Sequence, residues 1–446
     1  MKFFKYGLLE FIVIFVFAFF AQKVNAFSAK FTPTVKVEYR YNDNIRAEDE
    51  EVADPTGLQW VNYFLGLDAT LKNRRTTLNL GGWVGYSQYL AIDGGLADIA
   101  NLDAVDFDYP NIYLHAGFQY LTPKFTFDLE DEFKQNRRAS EIIGVDISDF
   151  SEYYLYINNI ASAQVRFRTG GPFSGLFRYQ YQITNFEKPE EADTFPPPNS
   201  ESHTGYLALN YRISPRFDVQ LDVHGGAMTY EDQEYYVSPG VSDWLEVTDY
   251  TYVQSTLGVN WRLSPKSLLH FSAGAQWRDF YGEAPGREFE DFTLPVARIS
   301  FNHGEKYRYE LGVGGEYAPS VYGLNYYFNY WQADAHFKFW VRRPLYLYTD
   351  VYYKQNTFDR DMIDMDGVWV DDRVDNVTIA RAGVVFDALR RHEVPYLSFQ
   401  LEYTYNLRES NIDEGADYVG GYGPSYDMTN NYIIFSMTFN PSLLIK

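Results

Sequence analysis

Seven histidines, His115, His203, His224, His270, His303, His336 and His392, are scattered along the 446-residue chain. General-base and metal chemistry needs such residues in constellations, with two His bracketing a Glu for a zinc hydrolase or a Ser between glycines for acyl transfer. Neither His-Glu-x-x-His nor Gly-x-Ser-x-Gly occurs. Asp334-x-His336 would put a carboxylate and an imidazole on one face of an extended segment, where the acid could orient the base. No serine motif accompanies it. Asp361 to Asp372 has the acidity of a calcium loop, but aligning Gly367 with the sixth position puts Met362 first and Arg373 twelfth, where carboxylates are needed. The absence of cysteine removes thiol catalysis, zinc-thiolate sites and disulfides together. The expectation is no enzyme, no cofactor and no metal.

Arginine is the charged residue with a pattern. Arg166, Arg168, Arg178, Arg212, Arg262, Arg298 and Arg308 each lie near a short turn and on the polar face of an alternating segment. Such a crescent of like charge can attract anions.

The segments that carry these arginines are long and two-faced. In Tyr396 to Arg408, Leu397, Phe399, Leu401, Tyr403, Tyr405 and Leu407 alternate with Ser398, Gln400, Glu402, Thr404, Asn406 and Arg408. Side chains alternate at period two in a strand, so one face is oily and the other polar. The same text recurs at Val61 to Leu71, Phe217 to His224 and Arg308 to Tyr317.

Short turns punctuate the chain every 40–50 residues or so. They are Lys72 to Arg75, Thr122 to Lys124, Gly170 to Pro172, Ser214 to Arg216, Ser264 to Lys266, His303 to Lys306, Arg342 to Pro344 and Arg390 to His392. Longer acidic connections lie between them, such as Ala47 to Gly57, Lys188 to Ser200, Asp359 to Asp375 and Glu409 to Tyr418.

Eight turns and nine loops join about eighteen strands. A β-propeller repeats near this interval but packs four short strands into it, where this sequence has two long ones. A sandwich would bury the charged faces at great cost. Turning the sheet inside out places the apolar face on lipid and the polar face on water, and closure pairs every edge. The fold expected is all-β, a single antiparallel transmembrane β-barrel with short periplasmic turns and long acidic extracellular loops.

The N-terminus fits that destination. Lys2 and Lys5 precede the apolar run Phe11 to Ala21, and Val24-Asn25-Ala26 offers a cleavage site before Phe27, the layout of a secretory signal peptide. Residues 1–26 are expected to leave, and residues 27–446 to form the barrel. Losing Lys2, Lys5, Lys23 and Glu10 takes the formal charge from −22 to −24, which excludes nucleic acid as a partner. Aromatic residues make up 19% of the chain, a content suited to strands and to oil–water boundaries.

At the C-terminus, Phe435, Met437 and Phe439 alternate in a strand that closes on an aromatic. It resembles the signal strand recognised by the barrel assembly machinery, departing from it by the extension Asn440 to Lys446. First and last strands near Thr34 and Phe439 leave no room for a plug domain, although Glu231 to Val247 or Glu409 to Thr429 could fold inward and narrow the pore.

Val35 to Ile45 (VKVEYRYNDNI) and Asn62 to Leu90 resemble the outer-membrane β-barrel porins of the second type. That resemblance implies a bacterial outer-membrane pore, with export of an (exo)polysaccharide and periplasmic export components as partners. Lipid and lipopolysaccharide are the partners expected of any such barrel. Three functions follow: a pore for solutes or a secreted polymer, a non-conducting structural or adhesin-like barrel, and an outer-membrane hydrolase. The arginine crescent has two readings, an anion-attracting inner mouth or a wall stiffened by pairing with carboxylates such as Glu310. Asp128, Glu130, Asp350 and Glu402 are expected on flanking strands.

Overall fold

A computed structural model describes residues 28–43, 57–93, 109–136, 156–186, 199–231, 233–238, 241–245, 249–281, 291–322, 326–358, 362–363, 369–370, 374–391, 394–410, 428–441 and 443–445. The leader, residues 361, 364–368, 371 and 372 of the calcium-like segment, and most of the acidic connections lie outside them.

Eighteen strands form one closed antiparallel barrel. They are β1 (Ser28–Asn42), β2 (Gly57–Lys72), β3 (Thr76–Asp93), β4 (Tyr109–Leu121), β5 (Phe125–Asn136), β6 (Tyr156–Arg168), β7 (Phe173–Phe186), β8 (Ser200–Ser214), β9 (Phe217–Tyr230), β10 (Asp249–Ser264), β11 (Ser267–Tyr281), β12 (Phe292–Glu305), β13 (Tyr309–Tyr322), β14 (Tyr326–Arg342), β15 (Leu345–Phe358), β16 (Val374–Arg391), β17 (Val394–Ser410) and β18 (Met428–Phe439). Each pairs with its sequence neighbours, and β1 pairs with β18 from Val35↔Phe439 to Asn42↔Tyr432. The predicted short turns fall where consecutive strands meet, although His303 to Glu305 still belong to β12 and Arg390 and Arg391 to β16.

Two expectations need adjusting. The first strand starts at Ser28 rather than near Thr34, because its pairing with β2 continues to Lys72. The C-terminal extension also joins the sheet: Leu443 to Ile445 pair with Phe31 to Ala29, lengthening the closing seam.

Turn chemistry is local. The loop before β7 holds Gly170 at φ 82°, a left-handed conformation that glycine adopts without penalty. Tyr307 takes φ 62° in the turn before β13. Asn73 closes the β2–β3 turn by accepting from the backbone N–H groups of Arg75 and Thr76, at 2.8 and 2.6 Å.

Side chains splay apart outside a barrel and converge inside it, so burial tells the faces apart. Leu65, Leu67, Leu129, Phe177, Leu257, Ile299, Val351 and Leu401 are exposed, although they are large and apolar. The alternate positions hold buried Asn42, Asn62, Ser87, Asp128, Gln276 and Ser436. Aromatic residues flank the aliphatic belt: Phe173, Tyr211 and Trp261 near the turns, and Tyr86, Trp277, Tyr281 and Trp331 toward the loops. Those are the two girdles of a transmembrane barrel. With its edges closed and its apolar belt outward, the chain is a barrel of the bacterial outer membrane.

The inversion is testable. Leu257→Arg, mid-belt on the lipid face, should destabilise the refolded barrel by ~2–4 kcal/mol. Ser162→Arg, on the lumen face of β6, should change stability far less. Denaturant unfolding from lipid vesicles compares the two, and equal losses would mean the faces are misassigned.

Candidate functional site: the lumen wall

The lumen wall is built from every second residue of all eighteen strands, and its chemistry differs from end to end. Near the short turns the charged side chains reach open water. Near the loops the inward residues are sealed: Trp60, Asn62, Ser87, Tyr156, Asn158, Thr184 and Asn356 are each at most 5% exposed.

Six of the seven predicted arginines sit on the lumen faces of β6, β7, β8, β10 and β12. Arg308 does not. The strand begins at Tyr309, so Arg308 belongs to the rim turn, where its Nη1 lies 3.4 Å from Glu305. Pairing is common. Arg166 meets Asp128 at 3.0 Å and Arg298 approaches Glu316 at 3.9 Å. Arg212 and Arg262 converge on a single carboxylate, Asp218, at 3.4 and 3.5 Å. Arg178 donates to the neutral Gln180 at 2.8 Å, and Arg168 has no acid partner among the described residues. Glu310 faces the same rim but is not the pairing acid.

Glu305 is likewise shared between Lys266, at 2.7 Å, and Arg308. A cavity of about 450 Å³ opens at this rim, lined by Arg262, Lys266, Ser267, His303, Glu310 and His336.

The opposite arc of wall carries acids and rings. Phe64, Trp83 and Tyr113 follow one another across β2, β3 and β4, with centroids 4.9 and 5.9 Å apart. Lys36 and Lys134 lie over the two outer rings, at 5.5 and 5.9 Å. This row offers a surface for stacking within a polar lumen. Its sequence signal is the aromatic doublet Tyr63-Phe64, one ring for each face, which alternation alone passes over.

A polar chain also crosses four strands. Asn62 donates to Glu38 at 3.1 Å, Ser87 to Asn62 at 2.6 Å and Asn111 to Ser87 at 2.8 Å. The predicted inner acids have separate partners: Glu402 lies 3.4 Å from Arg381 and accepts from the Tyr348 hydroxyl, while Asp350 faces His336 across the β14–β15 pair.

The candidate pair Asp334 and His336 lies flat against β13, over Gly314 and Gly312 respectively, where a Cβ would collide with the side chain above it. Neither touches a serine among the described residues. The structure instead forms a serine–histidine contact with no sequence motif. Ser267 Oγ is 2.7 Å from His303 Nδ1, and His303 Nε2 is 2.7 Å from the Tyr309 hydroxyl. These residues share the outer face at the turn rim. A phenol stands where a carboxylate would orient a catalytic base, and the chain ties β11, β12 and β13 together.

No protein-family model matches the sequence, and no curated protein does. Among solved structures the chain is similar to Pseudomonas aeruginosa OccK9 (OpdG), with 11% identity and a TM-score of 0.48, over 93% of this chain and 98% of that one. Acinetobacter baumannii OccAB4 shows 12% identity and a TM-score of 0.47 over 94% and 99%. The outer membrane protein OpdK of P. aeruginosa shows 12% and 0.46 over 93% and 99%.

Toward the loops, Arg408 and Asp375 form an ion pair at 2.9 Å, 5% and 0% exposed. Asp375→Asn would leave the guanidinium buried without its charge partner, an expected loss of about 3–5 kcal/mol. Equilibrium unfolding of the purified variant measures it, and a loss below 1 kcal/mol (roughly the worth of a surface pair) would show that water reaches this wall.

Proposed function

We propose that the protein is an outer-membrane diffusion pore whose turn-end vestibule favours small anionic solutes. The observation that carries this reading is the sharing of an acid at the inner rim. One carboxylate, Asp218, serves both Arg212 and Arg262. Arg168 and Arg178 add charge with no acid partner among the described residues. Along this arc the arginines outnumber the carboxylates paired with them, and low-dielectric walls focus such a field into the water between them.

Export of an anionic polysaccharide is the finer reading implied by the sequence resemblance. A non-conducting barrel would leave the exposed arginines of the vestibule without a task. Hydrolysis finds no complete constellation among the described residues.

Planar-bilayer recording tests the pore. The wild-type barrel should conduct with a preference for anions, and replacing Arg166, Arg168 and Arg212 together with Gln should shift the reversal potential toward cation selectivity. Absence of conductance would remove the pore, whereas conductance with unchanged selectivity would remove only the role of the arginines. Adding an acidic polysaccharide to the periplasmic side separates block by a polymer from indifference to it.

A further inference from the structure

Arg278 is the exception among the arginines of the lumen. It projects from β11 toward the loop end and is 6% exposed. Its guanidinium carbon lies 4.5 Å from the Tyr250 ring centroid, 5.6 Å from Tyr252 and 5.7 Å from Phe292. Tyr230 packs on Tyr250 at 6.5 Å and extends the cage onto β9. Nη2 donates to Gln276 Oε1 at 3.0 Å, while Nε and Nη1 are shut off from solvent with no acceptor.

Ring faces offset part of the charge of a buried guanidinium. They do nothing for its N–H groups, which lie in the guanidinium plane and need acceptors. The equally buried Arg408 meets Asp375. The strands around Arg278 supply no acid to it, so a full positive charge and two donors stand uncompensated in a dry wall, among the most unfavourable situations a fold can retain.

We propose that Arg278 holds a monatomic halide, chloride in the cell, within the aromatic cage formed by β9 to β12. One cation calls for one negative charge. N–H groups closed to solvent are out of reach of an organic acid, and burial among rings disfavours strongly hydrated anions such as sulfate. Water could accept from both N–H groups but would leave the charge unbalanced. The site is separate from the vestibule and independent of conduction. Its consequence is structural: the halide would fasten the loop-end wall across four strands.

Thermal unfolding of the full barrel in detergent tests the proposal, with sodium chloride or bromide compared against sodium gluconate at equal ionic strength. Halide should raise the midpoint saturably in the wild type, and the rise should vanish in Arg278→Gln. Crystals grown in bromide should show an anomalous peak within hydrogen-bonding distance of Nε or Nη1, a readout that holds even if the variant does not refold. Identical midpoints in halide and gluconate, a halide rise that persists in Arg278→Gln, or water alone at the bromide position would each overturn it.

Discussion

Backbone polar groups inside a bilayer have no water to turn to, and every other property of this molecule follows from that constraint. An open sheet would leave two rows of N–H and C=O groups unpaired in hydrocarbon, so β1 must find β18. The seam is generous: beyond the pairing of Val35 to Asn42 with the last strand, residues 443–445 continue it along Ala29 to Phe31. Closure in turn fixes the faces. Once the sheet is a cylinder, alternate residues have only lipid or lumen available, and a one-residue slip anywhere would exchange them.

Curvature then sorts the polar chemistry. Inside, side chains converge and satisfy one another, as in the chain from Asn111 through Ser87 and Asn62 to Glu38. Large residues find space by lying over a neighbouring strand's glycine, as His336 does over Gly312. Charge is unevenly distributed along the axis. At the turn end, exposed cations share too few carboxylates. At the loop end the charges are sealed: Arg408 is matched individually by Asp375, while Arg278 meets rings and no acid among the described residues. Coulomb attraction is weak among the first and strong among the second, because water screens one and not the other. An exposed, under-neutralised rim is what steers ions, and a dry, matched wall is what holds a shape.

The fold was largely legible from the chain. Turn positions, the alternation of Leu397 to Leu407 against Ser398 to Arg408 and the even strand number all follow from local chemistry, since period two and turn residues are properties of a few consecutive positions. The inward direction of Arg166, Arg178, Arg212, Arg262 and Arg298 followed from the same parity. Strand ends were less secure. Arg308 reads as a strand residue by parity, yet its neighbour Tyr307 takes a left-handed turn that places Arg308 on the rim.

What the sequence determined alone is therefore the class of object: a two-faced sheet that has to close in a membrane. Tertiary structure decided the partnerships. Asp218 lies beside both Arg212 and Arg262, Ser267 beside His303, and Arg278 beside three rings and no acid. Those neighbours come from different strands, and which residues face each other is set by register between strands, a quantity that no single strand's alternation contains.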